Sequence, residues 1–400
     1  MIPVEKAQEM VLAGMRPVAT EVVALPQAAG RILAEDLAAR VSHPPVAVSA
    51  MDGYAVRTDD LSLIPTRLHV IGQSAAGAPF AAPLAPGQAV RIFTGAAIPT
   101  GADGVIMQEN TSRDGHEVTI REGIAAGKFI RAPGLDFKTG DVLLTAGTVM
   151  GGRAVGLAAA MNIPSLAVRR RPRIAILSTG DEIVMPGDPL GPAQIVGSNG
   201  PGLSAFVTAM GGEPVHLGIA RDTRASLDAM IASAAGCDLL VTTGGASVGD
   251  YDLVQDALSE AGLSLGFYTV AMRPGKPMMF GDLNGVPVLG LPGNPVSAMV
   301  GAVVFLEPAI RALLGLPPGA EPISARLGRD LAANDARQDY LRASLERGVD
   351  GQITATPFSL QDSAVLSGLA RADALLIRPP FAPAAMAGET VRIIPLPATT

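Results

Sequence analysis

Asp250 and Asp252 close a glycine-rich turn, TTGGASVGDYD (242–252), that directly follows the apolar run Leu239, Leu240 and Val241. Gly244, Gly245 and Gly249 let the backbone bend tightly and approach a ligand without Cβ interference. Backbone N–H groups in such a turn can hold an anion. The two carboxylates repel one unless a cation mediates. The combination points to cation-assisted chemistry on a phosphate or another oxyanion.

Other segments carry the same signature. STGDE (178–182) brings Thr179, Asp181 and Glu182 to another strand exit. Asp222 follows a third. Carboxylates clustered on one sheet edge repel unless they share a hard cation such as Mg²⁺. RPGKP (273–277) presents Arg273 and Lys276 around a proline-stiffened turn, suited to phosphate or oxyanion contact. LPGNPVS (291–297) reads as a helix start with free N–H groups and the positive end of the dipole. SAMDGYA (49–55) and TGAAIPTGAD (94–103), taken by residue type alone, are turns.

These motifs must be held by elements whose pattern changes along the chain. Residues 3–41 show helical spacing of Val4, Ala7 and Val11, then Ile32, Leu33 and Leu37. Residues 46–135 alternate short β-rich runs with Gly/Pro turns, as in a small β insertion. Helical spacing returns at 154–161. From Arg173 strands at 174–177, 214–217, 239–241 and 286–289 alternate with helices at 200–210, 225–235, 253–261 and 296–314. That alternation predicts a largely parallel sheet covered on both faces, with ligands at the carboxyl ends of its strands. After 315–319, short strands resume. The expected division is 1–45 with 136–171 as a mixed N-terminal domain, 46–135 as a β-rich insertion, 172–318 as the α/β domain, and 319–400 as a β-barrel-like C-terminal domain. The fold class is multidomain α/β.

Bulk properties exclude several functions. The 400 residues carry a net charge of −7 and no Trp, which argues against a nucleic-acid binder. The basic run at 169–173 reads as a solvated strand entry. Cys237, the one cysteine, allows no internal disulfide and sits in an apolar run. The four His residues lack zinc spacing. The uncharged stretch 283–306 is interrupted by Pro287, Pro292 and Pro295, against a membrane span. No GxGxxG or P-loop is present. A cytoplasmic protein without membrane or nucleic-acid partners is expected.

Taken in order, SAMDGYA, TGAAIPTGAD, STGDE, TTGGASVGDYD, RPGKP and LPGNPVSA resemble the molybdopterin molybdenumtransferase (MoeA) family, which is related to the C-terminal region of gephyrin. The resemblance implies the last step of molybdenum cofactor synthesis. Molybdate is inserted into adenylylated molybdopterin with release of AMP and help from Mg²⁺ or a similar divalent cation. It also implies a homodimer whose active site is shared between chains, and contact with the upstream adenylyltransferase. Carried onto this sequence, Glu182, Asp52 and Thr94 are catalytic. Thr179, Gly244, Gly245, Ser247, Asp222, Arg273, Lys276, Pro292, Asn294, Pro295, Arg342 and Ser363 bind substrate or phosphate. Glu182, Asp250, Asp252 and Asp136 are metal ligands. The chain departs from the family pattern at Val46-Ala-Val48, at Gly134-Leu-Asp136 and at Arg273, where Lys is common.

Two other functions fit parts of the chain. A molybdopterin adenylyltransferase shares the GGxSxGD turn and a fold like residues 172–318, but lacks the other lobes and requires ATP. A storage or scaffold protein would bind cofactor tightly without releasing AMP. Tungstate, nearly equal to molybdate in size and charge, suits the same site.

Overall fold

The computed structural model describes residues 1–244, 253–319 and 321–396. It divides into two compact units, one made of Val22–Val168 and one of Met1–Glu21 with Arg169–Thr400.

The larger unit holds a six-stranded sheet in the order Glu213–Ala220, Arg173–Thr179, Leu239–Thr243, Val286–Leu291, Pro277–Leu283, Leu263–Thr269. The first four strands run parallel. Ile174, Ala175, Ile176 and Leu177 are all fully buried, as a central strand covered on both faces requires. Register pairs Ser178 with Thr243 and Thr243 with Leu291, so three strand exits lie side by side. The last two strands are antiparallel, and 277–283 was not foreseen as a strand. Its signal was Asn284-Gly285. Both residues adopt positive φ, the requirement of a tight hairpin turn.

Helices Asn199–Ala209, Arg224–Ala232 and Leu253–Glu260 follow the expected spacing. Thr223 caps the second by accepting the N–H of Ser226. A continuous helix, Pro295–Leu313, is long and apolar enough to cross a membrane by composition, but it is 67% buried inside the fold, as a core helix is.

Five strands, Gln338–Arg347, Ile353–Pro357, Ile323–Leu327, Thr390–Pro395 and Ala374–Arg378, close into a small barrel through pairing of the first with the last. Met272–Arg273 adds to it in parallel at Gln338–Asp339. The α/β sheet and the barrel are thereby stitched together beside the RPGKP turn.

Helix Val4–Gly14 buries Val4, Ala7 and Val11 and belongs to this larger unit. Gln8 donates from Nε2 to the carbonyl of Val304. The division of the chain therefore falls at residue 21, inside the segment expected to be one N-terminal domain. The helical expectation for the rest of 15–41 is corrected. Pro17, Pro26 and Gly30 break the run, and Thr20, Val22 and Val23 favour extended backbone. Leu33 bridges to Val168 and Leu37–Ala38 pairs with Val142–Leu144.

The smaller unit carries a six-stranded sheet ordered Gly104–Met107, Gly53–Val56, Gln88–Ile92, Thr66–Ser74, Glu117–Ile120, Thr111–Asp114. Tyr54, Val56, Leu68, Ile106, Val118 and Ile120 form its core. A second core gathers Leu33, Phe137, Met150, Met161 and Val168 around helix Gly152–Ala160.

Candidate active site

At the carboxyl edge of the parallel strands the larger unit opens a cleft of about 710 Å³. Such a volume suits a ligand the size of a nucleotide conjugate. Its floor is built from strand exits. Thr179 is 1% exposed, and Gly244 follows Thr243 at φ +94°. A Cβ at Gly244 would sit 2.5 Å from the carbonyl oxygen of Thr179, so only glycine fits where these two exits touch. Glu182 stands exposed at the wall, with Ile195 and Val196 opposite it on a short ribbon.

The RPGKP turn forms another wall. Arg273 and Lys276 both line the cleft, yet they differ in kind. The Arg273 guanidinium is taken by Asp339, by Asp335 at 3.1 Å and by Asn334 at 3.1 Å. The hydrogen bond it donates to Asp339 and the charges of both acids hold its pKa above the ordinary guanidinium value. Arg273 thus acts first as a clasp to the barrel. Lys276 is exposed and has no carboxylate partner among the described residues. Among the described residues it is the unpaired cation of this turn.

The LPGNP turn contributes Pro292, Gly293, Asn294 and Pro295. Asn294 donates from Nδ2 to Ser363 Oγ at 2.9 Å, and the N–H of Val296 reaches the carbonyl of Ser363. One N–H of this helix start is therefore occupied by the barrel. The barrel brings Arg337, Gln361 and Ser363 to the cleft.

Several expected residues stand elsewhere. Arg342 does not line the cleft. Its side chain is 1% exposed, donates to the carbonyl of Asp362 at 2.9 Å, and lies beneath the segment it supports. Gln361 Oε1 accepts the Arg342 N–H while its Nε2 donates to the Arg342 carbonyl. Arg342 therefore braces the 361–363 segment and does not reach the ligand space. Asp222 is also off the cleft, exchanging backbone-to-carboxylate hydrogen bonds with Asp181 at 3.3 Å each way. Gly245, Ser247, Asp250 and Asp252 lie outside the described residues.

Asp52, Thr94 and Asp136 belong to the smaller unit. One Asp52 carboxylate oxygen accepts both the N–H and the hydroxyl of Thr94, each at 2.7 Å. The N–H bond, then the hydroxyl, then the Arg91 charge hold the Asp52 carboxyl below the usual carboxylate range. Asp136 is exposed, its N–H bonded to the carbonyl of His43.

Sequence reasoning missed Asn199, Arg337 and Gln361. The Asn199 signal was a polar residue opening a helix right after a strand pair. The other two lie in the barrel, where no chemical motif flags them.

As a cation site, the described residues offer Glu182 alone among carboxylates lining the cleft. No group of three metal-ligating side chains occurs among the described residues. This set fits Mg²⁺ held jointly with phosphate oxygens and water, the ion's usual habit with nucleotides. It does not fit an all-protein cage.

Three family models match in succession: the MoeA N-terminal region (domain I and II) over 2–162, a probable molybdopterin binding domain over 175–312, and the MoeA C-terminal region (domain IV) over 324–396. The chain is 39% identical to a molybdopterin molybdenumtransferase of Nostoc sp., covering 94% of this chain and 89% of that one. It is 36% identical to the enzyme of that name from Haemophilus influenzae, covering 99% and 98%. A crystal structure of a molybdopterin biosynthesis moeA protein from Pyrococcus horikoshii superimposes with a TM-score of 0.87 at 33% identity, covering 98% of both chains.

Proposed function

Because this chain belongs to the MoeA family of molybdopterin molybdenumtransferases, we propose that its activity, molybdenum transfer in cofactor biosynthesis, takes place in the cleft around Glu182. The substrates are adenylylated molybdopterin and molybdate, and AMP is released. The observation that carries this reading is that Lys276, without a carboxylate partner among the described residues, and Glu182, an exposed carboxylate, line the same strand-edge cleft of about 710 Å³.

Both substrates are anions, so bringing them together is an electrostatic problem more than a covalent one. Lys276 neutralises the pyrophosphate or the incoming oxyanion. Glu182, with Asp250 and Asp252 as the further carboxylates, would hold the cation together with phosphate oxygens. When bound, Mg²⁺ supplies the charge that lets two anions approach. Thr179, Gly244, Pro292, Asn294, Pro295 and Ser363 shape the pocket. Arg273 and Arg342 act through the barrel segments that they hold.

The protein acts as a homodimer in which Asp52 and Thr94 of one chain serve the cleft of its partner. Contact with the upstream adenylyltransferase delivers the adenylylated pterin in the cytoplasm.

The deciding experiment mixes the purified protein with adenylylated molybdopterin, Mg²⁺ and molybdate, and follows AMP release with metal incorporation. AMP release that depends on molybdate supports the reading. A requirement for ATP turns it toward adenylyl transfer, and binding without turnover turns it toward storage. Substitution of Glu182 by Ala with full molybdate insertion retained would remove Glu182 from its role.

A further inference from the structure

The pairing of Leu239–Thr243 with Val286–Leu291 ends at Thr243 and Leu291. Beyond that pair the two exits continue as the turns at 244 and 292–294 that floor the cleft. They abut closely, since a Cβ on Gly293 would lie 3.4 Å from the Cα of Gly244. What holds them is a side chain from a third element. Asn199, first residue of helix Asn199–Ala209, donates from Nδ2 to Thr243 Oγ1 at 2.7 Å and to the carbonyl oxygen of Gly293 at 2.7 Å. Thr243, 1% exposed, passes the chain on by donating to the carbonyl of Pro292 at 3.1 Å.

The chemistry admits one arrangement. The Gly293 carbonyl can only accept, so the Asn199 nitrogen must face it. Thr243 Oγ1 accepts from Asn199 and spends its own proton on Pro292. Neither residue can be replaced by an isostere of opposite hydrogen-bonding sense. Asn199 also lines the cleft beside Thr243, Gly244 and Gly293.

We infer that Asn199 is a positioning residue for molybdenum transfer, extending the ladder past its last strand pair and fixing the two ligand-facing turns to one helix start. The inference rests on the cleft being the transfer site.

The test uses Asn199→Asp, which keeps the shape but sets an anionic oxygen against the Gly293 carbonyl, and Thr243→Val against Thr243→Ser. Loss of ligand positioning is read as KM separated from kcat. Asn199→Asp and Thr243→Val are expected to raise KM for adenylylated molybdopterin at least ~10-fold, with kcat within ~3-fold. Thr243→Ser, which keeps the hydroxyl, recovers most of that loss. The double variant is no worse than its worse single, because both remove one chain of bonds. Amide hydrogen exchange at Gly293 and Asn294 speeds up in Asn199→Asp and Thr243→Val, while global unfolding stays cooperative. Unchanged exchange at these amides overturns the tether, as does an unchanged KM in an active enzyme. Should Asn199→Asp fail to fold, the Thr243 pair decides alone. Absence of AMP release from the wild-type protein would count against the transfer site, while exchange would still decide the tether.

Discussion

One carboxylate oxygen of Asp52 accepts both the backbone N–H and the hydroxyl of Thr94, each at 2.7 Å. The two motifs SAMDGYA and TGAAIPTGAD are joined at that atom, although 42 residues separate Asp52 from Thr94. Each motif alone reads as a turn.

The Asp52 carboxyl lies below the usual carboxylate range chiefly because of the Thr94 N–H, then its hydroxyl. Thr94→Val removes the second bond and keeps the first. The Asp52 pKa is expected to rise part of the way back, measured by ¹³C titration of its carboxyl. The sign follows from a depressed folded value. The stabilising contribution is full above the ordinary carboxylate range and is lost as pH falls through the folded pKa. Thr94→Val moves that loss to higher pH. An unmoved titration would show that the hydroxyl bond contributes nothing.

Arg273 is held by Asp339, a residue 5% exposed, where the α/β sheet meets the barrel. Asp339→Ala strands a guanidinium whose other partners, Asp335 and Asn334, lie nearer solvent. Removing one partner of a half-buried pair costs about 1–3 kcal/mol, below the range for fully buried pairs. Arg273→Lys keeps the charge but not the fork, and is expected to lose most of the same amount. Denaturant unfolding of the two variants checks this. Full stability in Arg273→Lys would reduce the clasp to a simple charge contact.

The parts of this fold legible in the sequence are those where periodicity and motif agree. Strands at 174–177 and 239–241, with STGDE and TTGG at their ends, could be placed because a buried parallel strand is a short apolar run that must end in a turn. The hairpin strand 277–283 was hidden because PMMFGDL shows no alternation, its residues being buried on both faces. Residues 15–41 misled because Ile32, Leu33 and Leu37 share a helix's spacing by coincidence, while Pro17, Pro26 and Gly30 ahead of them break any helix running in from the N-terminal side. In the site, residue type identified Glu182 and Lys276, whose charge is exposed. It could not tell that Arg273 and Arg342 spend theirs on the barrel, since partners 66 and 20 residues away are set by tertiary structure.

Glu307 opens the last turns of the core helix and is pushed above the ordinary carboxylate range by burial, with Arg311 opposing. An acid whose folded pKa is raised destabilises the fold at pH above that value. The cost fades as pH falls through the folded pKa and is gone below the unfolded one. Glu307→Gln is therefore expected to raise the melting temperature at pH 7–8 and to leave it unchanged near pH 4, by calorimetry across that range. A gain that persists at pH 4 would point to packing and not to charge.

Gly244 joins the central strand exits to the cleft floor at φ +94°, and a Cβ there would lie 2.5 Å from the Thr179 carbonyl oxygen and 2.9 Å from its hydroxyl. Gly285, in the hairpin turn, has φ +89° with nothing within 4 Å of such a Cβ. Backbone strain is therefore shared by the two glycines and the clash belongs to Gly244. Strain alone costs about 1–3 kcal/mol in either alanine variant. Gly285→Ala is expected to lower stability by that amount and leave turnover intact. Gly244→Ala must in addition push apart two exits of a fully buried sheet, so it loses more stability and also the affinity for adenylylated molybdopterin. Paired melting and AMP-release measurements separate the two. Equal stability losses with full activity in both would mean that the strand exits can yield, and that their close approach does not shape the cleft.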